Sequence, residues 1–165
     1  MGDVTCSIAR TVDILSDAWA WLIVRDAYVG VCRFEHLRED LGISGKVLSQ
    51  RLAALVDAGI LTRHPYAERP TRFEYTLTTK GNDLVPILAT LVAWGDRWEP
   101  TEGGPPMYFE HQDCGAAHVA ITCAACGTPA TAQTLTVRPG PGGSTGPGTA
   151  VIGRRLRGSS RRAPL

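Results

Sequence analysis

Two groups of residues in this chain have types and spacings that can do chemistry. In HQDCGAAHVAITCAACG, His111 and Cys114 are separated by two residues, eight residues follow, and Cys123 and Cys126 repeat the spacing. Imidazole and thiolate are the ligands of tetrahedral Zn²⁺, and paired ligands beside glycines are how a zinc ribbon offers them. Four ligands close the coordination sphere and leave no position for a catalytic water, so the expectation is a structural Zn²⁺. His118 is able to replace His111 in the set. A metal-free hairpin with reduced thiols is the plainer alternative.

The second group lies in ISGKVLSQRLAALVDAGIL, residues 43–61. On a helical wheel Leu48, Leu52, Leu55 and Val56 share one arc. Lys46, Gln50, Ala53 and Asp57 lie opposite, with Ser49 beside them. Gln50 has the two-point hydrogen-bonding pattern of an adenine edge, and Lys46 suits guanine or phosphate. Ser44 and Ser49 suit phosphate oxygens. Arg51 sits nearer the apolar arc and is expected on a phosphate or in an internal ion pair. For an isolated helix, a merely solvated face is the plain reading; the neighbouring elements decide against it.

Those elements follow from periodicity. SIARTVDIL reads as a short helix, DAWAWLIVRDAYV as an almost wholly apolar second helix ended by Gly30, and RFEHLREDLG as a third. Ser44 is a good N-cap for the helix of the second group, and Gly59 closes it. The period then falls to two. ILTRHPY and TRFEYTL read as strands joined by AERP, with Pro65 and Pro70 restricting the hairpin to an exposed edge. Arg63, Arg69 and Arg72 make this hairpin a basic wing for the DNA backbone or minor groove. From Thr79 a helix is expected to about Trp98, with Pro86 kinking it or marking where its regular part begins. Leu84, Ile87, Leu88, Leu91, Trp94 and Trp98 form a wide apolar stripe on it.

The predicted fold is therefore mainly α with a small β-hairpin, a winged helix-turn-helix over residues 6–99. PTEGGPP is the hinge to a zinc-ribbon-like region, 107–137. A tail, 138–165, is Gly/Pro-rich, then Arg-rich, and is expected to be disordered. The net charge is +1, but residues 1–105 hold 11 Lys/Arg against 14 Asp/Glu, while Arg154, Arg155, Arg157, Arg161 and Arg162 crowd the end. Nucleic-acid binding by the folded part must come from a local patch, with the tail adding sequence-independent affinity or serving only as a soluble appendage.

Five cysteines argue against a disulfide framework and for metal or redox chemistry. Cys6 and Cys32 each fall at the start of a helix, where the dipole favours a thiolate, and are candidate redox positions. No run is long and apolar enough to span a membrane. Acidic residues near the N-terminus do not fit a signal peptide, so a cytoplasmic location is expected.

The motifs SGKVLSQRLAALVDAGIL, YAERPTRFEYTLTTKG and LVAWGDRW resemble those of the HxlR-type transcriptional regulators, a winged-helix group akin to the MarR regulators. ARTVDIL, AWLIVRDAYVG and RFEHL match its first three helices in order. The resemblance covers roughly residues 6–99. It implies a homodimer on a near-palindromic operator, with terminal helices at the dimer interface; a cysteine at the position of Cys6 senses oxidants in some members. One motif departs: where the family commonly has Gly-Lys-Trp, this chain has Asp17-Ala18-Trp19. The apolar stripe on residues 84–98 argues for dimerisation independently, since it is wider than one small core needs.

An enzyme is not supported: no nucleophile–base constellation and no Gly-rich phosphate loop after a strand is present. The alternative from another class is a zinc-containing protein-interaction adaptor on a winged-helix scaffold.

Overall fold

The computed structural model describes residues 6–15, 17–115, 119–138, 140–141 and 149–159. Its elements are α1 (Ser7–Ile14), α2 (Ala18–Tyr28), α3 (Phe34–Leu41), α4 (Gly45–Asp57), β1 (Leu61–Glu68), β2 (Thr71–Leu77), α5 (Thr79–Asn82), α6 (Val85–Trp98) and α7 (Ala150–Ser159). They fall into two units, one from residues 15–119 and one from residues 1–14 and 120–165.

The first unit is a winged helix. Asp17 caps α2, its Oδ1 accepting from Ala20 N at 3.1 Å, and Ser44 Oγ caps α4 by accepting from Val47 N at 3.3 Å. These caps satisfy amides that the helices cannot pair themselves. The apolar arcs then meet: Ile23 and Val24 of α2, Leu37 of α3, and Leu48, Leu52 and Leu55 of α4 are buried, with Ile60, Leu61 and Leu88 closing the same core. Each such side chain contributes about 1.5–3 kcal/mol relative to exposure.

At its C-terminus α4 runs into the hairpin through Gly59, whose φ of +68° is the left-handed conformation that glycine adopts without penalty. Lys80 donates to the Ala58 carbonyl at 2.6 Å, satisfying an orphan carbonyl at that helix end. Thr78 Oγ1 donates to the Gly59 carbonyl at 2.6 Å. Gly81 passes so close to the Ile60 carbonyl that a Cβ there would overlap it. The hairpin is therefore pinned at its root to the end of α4.

β1 and β2 pair antiparallel from Leu61↔Leu77 out to Glu68↔Thr71, with an irregularity between Pro65 and Ala67. The expected AERP loop is shorter than predicted, because Ala67 and Glu68 extend β1 and only Arg69 and Pro70 turn the chain. Arg33 bridges to Glu74, and Tyr75 N donates to the Cys32 carbonyl at 2.8 Å, so the chain before α3 extends the ladder beyond the hairpin.

Two further expectations need correction. The single helix from Thr79 to Trp98 is two helices. Residues 83–84 separate them, and Pro86, which cannot donate within a helix, stands in the first turn of α6. The tail expected to be disordered contains α7. Its sequence AVIGRRLRGS mixes Ala, Leu and Arg, all good helix formers, and the Gly/Pro-rich stretch ends before it.

The region 107–137 does not behave as one piece. Phe109 packs against the winged core, its ring stacked on Tyr28 at 6.0 Å between centroids. Residues 120–138 belong to the second unit and are almost all exposed. They are held by one bridge, Thr122↔Pro129, with Ala130 N donating to the Ile121 carbonyl at 2.8 Å.

Candidate nucleic-acid interface

α4 presents two different surfaces. Leu48, Leu52 and Leu55 face the core, whereas Lys46, Ser49 and Gln50 are exposed in its first turns, after the exposed cap Ser44. The Ser44 oxygen is occupied as an acceptor by its own helix, which leaves its O–H to donate outward. Ala53 is exposed one turn on, and Asp57 lies at the far end. The polar edge thus changes from basic and amide-bearing to small to acidic along the helix.

The hairpin supplies the second element. Arg63, Arg69 and Arg72 are all exposed. Arg63 lies over the Phe73 ring at 4.9 Å, a cation–π contact that orders its guanidinium without neutralising it. Arg72 shares a cleft of about 320 Å³ with Ser49, Phe34, Tyr66 and Phe73, so wing and α4 meet along one groove.

Arg33 was not among the residues singled out from the sequence. Its Nε lies 2.8 Å from Glu74 Oε1, and its guanidinium lies over Tyr66 at 4.5 Å. The Glu74 carboxylate raises its already high pKa. Arg33 therefore braces the wing from the α3 side. Its partners are 41 and 33 residues away in sequence, beyond the reach of a local pattern.

Arg51 takes the second of its two expected places. It forms an ion pair with Asp17 and is half-buried, so it is turned toward α2 and away from the exposed edge.

The Cys/His residues form two separate turns with the same hydrogen bond. Gly115 N donates to the His111 carbonyl and Gly127 N donates to the Cys123 carbonyl, each at 2.8 Å. Both glycines are left-handed, at φ +65° and +70°. In the first turn Cys114 Sγ lies 3.5 Å from His111 Nδ1. In the second, Thr128 through its hydroxyl and backbone, and then Cys123, lower the Cys126 thiol pKa. Among the described residues no group of three or more His, Cys, Asp or Glu is placed to hold a metal ion. His118 lies outside the described residues.

Cys6 and Cys32 are half-buried free thiols, one residue before α1 and two before α3. Of the terminal arginines, Arg154 and Arg155 are exposed on α7, while Arg161 and Arg162 lie outside the described residues. No described helix is long and apolar enough to cross a membrane.

Comparison with known proteins agrees with this arrangement. The uncharacterized HTH-type transcriptional regulator Rv3095 of Mycobacterium tuberculosis is 41% identical over 137 residues, spanning 82% of this chain and 87% of its own. The crystal structure of PA1607, described as a candidate transcription factor, superposes with a TM-score of 0.71 at 31% identity, over 82% of this chain and 95% of its own. A second candidate transcription factor, PA1374 from Pseudomonas aeruginosa, gives a TM-score of 0.60 at 36% identity, over 84% and 95% of the two chains. Residues 14–103 match the HxlR-like helix-turn-helix family, and the chain belongs to that family of transcriptional regulators.

Proposed function

We propose that the protein is a sequence-specific, homodimeric DNA-binding regulator that places α4 in the major groove and the hairpin on the backbone or in the adjacent minor groove. The observation that carries this reading is the two-faced α4. One side is committed to the core, while Ser44, Lys46, Ser49 and Gln50 stand exposed beside a wing bearing Arg63, Arg69 and Arg72. An N-terminal polar edge is what a recognition helix offers to base edges, and the wing arginines suit phosphates. The acidic Asp57 falls where the helix leaves the groove.

The dimer is supported by α6. Ile87, Leu91, Trp94 and Trp98 are 44–60% exposed and recur at helical spacing, a stripe that water leaves uncovered in one chain. A second copy packed on it would set two copies of α4 against a near-palindromic operator. The family does not favour the adaptor alternative. We place the protein in the cytoplasm, where such a regulator meets DNA.

We further propose a structural Zn²⁺ held by His111, Cys114, Cys123 and Cys126. Bond lengths of about 2.0 and 2.3 Å at a tetrahedral angle put a nitrogen and a sulfur ligand about 3.5 Å apart, matching the 3.5 Å between His111 Nδ1 and Cys114 Sγ. The first turn thus fits one edge of such a tetrahedron by itself. Elemental analysis of the purified protein is expected to find one zinc per chain; none at neutral pH would refute the assignment.

The experiment for the regulator is selection of bound sequences from a random duplex pool near physiological salt. An inverted repeat with half-sites about one helical turn apart is the expected result. No enrichment with folded, dimeric protein would refute it.

A further inference from the structure

Asp17 and Arg51 join the start of α2 to the middle of α4. Asp17 uses its two carboxylate oxygens for two tasks. Oδ1 accepts from Ala20 N and caps α2, while Oδ2 takes the Arg51 guanidinium from the middle of α4. The Arg51 side chain is 36% exposed and that of Asp17 26%, and the Arg51 Nε is buried without a hydrogen-bond partner. A guanidinium that leaves a donor unpaired in order to face a carboxylate is held inward rather than displayed. Nor does it have a second reason to be there, since the apolar core beside it is already closed by Leu48, Leu52 and Leu55.

We propose that Asp17 and Arg51 form a strut that fixes the roll of α4. On this proposal Asp17 is a positioning residue for DNA reading, and Arg51 is not a phosphate contact. The inference rests on the regulator reading above. Gln50 is the next residue round the helix from Arg51, so restraint of one sets the direction of the other. Side chains lie at an outer radius of about 5–6 Å, so a roll of about 15° moves a tip by about 1.5 Å. Recognition tolerates about 0.5 Å and 10–20°. The leucine arc holds α4 on the core by close packing on one side. The ion pair supplies the direction.

The test separates the two tasks of Asp17. Asp17→Asn keeps an excellent helix cap while removing the charge. Arg51→Gln removes the other partner. Two readouts on the full-length protein are needed. The first is amide hydrogen exchange of the free protein, which does not depend on DNA. Both variants are expected to speed exchange in the first turns of α4, with the double variant no faster than either single, while the start of α2 in Asp17→Asn is unchanged. The second is binding to the sequence recovered by selection and to a scrambled duplex across salt concentrations. Each variant is expected to weaken binding to the selected sequence about fivefold or more, as coupled neighbours do. Scrambled-duplex binding and the salt slope should stay at wild-type values.

A drop of about 0.9 in the salt slope for Arg51→Gln, with Asp17→Asn silent, is the signature of a lost phosphate contact and would overturn the strut. If the wild type selects no sequence, the regulator reading fails, and the exchange measurement still judges the strut. Unchanged α4 exchange in both variants overturns it.

Discussion

The winged unit and the segment after Ala120 are held together by different physics. In the first, helices and hairpin close on side chains such as Ile23, Leu37 and Leu52, each 1% exposed or less. In the second, nearly every residue up to Arg138 is exposed, and order rests on local turns, one bridge and the Thr131–Thr134 hydrogen bonds. Apolar burial is cooperative and tolerates loss of a polar contact. A segment of turns has no such reserve, and the proposed Zn²⁺ would supply there what a core cannot.

Breaking the stronger side should cost most. Leu52→Ala removes a side chain at the centre of the core and is expected to destabilise the winged unit by about 2–5 kcal/mol in urea unfolding. Gly81→Ala acts at one close approach. Its Cβ meets the Ile60 carbonyl, so the hairpin root must shift, at about 1–3 kcal/mol. Wild-type stability in Gly81→Ala would show that the root is not pinned there.

Asp26 probes the core electrostatically. It is 1% exposed, Arg25 pairs with its Oδ1, and its Oδ2 has no partner. Burial raises its pKa above 3.8, outweighing the lowering by Arg25. The folded chain therefore holds this proton more tightly than the unfolded one. The contribution to stability is fully present below 3.8 and is lost as pH rises through the elevated value. Asp26→Asn should flatten that part of the pH profile, read from urea midpoints between acid and neutral pH. A profile parallel to wild type would contradict the assignment. The smallest effect concerns the proposed Zn²⁺: chelation is expected to raise hydrogen exchange around Cys123 and Cys126 while leaving the winged unit's melting temperature unchanged, since His111 and Cys114 are exposed and outside its core. A fall in that temperature would mean the two kinds of stabilisation are not separate.

Legibility in the sequence followed the same division. Ser44, the leucine arc and Gly59 bound α4 because cap, period and stop lie within one helix, and Ser44, Lys46, Ser49 and Gln50 are exposed as the wheel requires. What needed distant partners was not legible. Asp17 is 34 residues from Arg51, and Arg33 meets Glu74 across the wing. Phe109 looked like part of a separate region because nothing local marks its place against Tyr28. The Gly/Pro-rich opening of the tail masks α7, whose Ala, Leu and Arg residues are good helix formers.

The claim that most needs testing is that the polar edge of α4 reads bases. The direct measurement is the ratio of affinities for the selected duplex and a scrambled one, for wild type and for Lys46→Ala/Gln50→Ala, at one salt concentration. Both positions are exposed, so melting temperature should not change. The account predicts that the ratio collapses toward one while binding to the scrambled duplex falls only slightly. A variant that keeps the wild-type ratio would contradict it and move recognition to another surface.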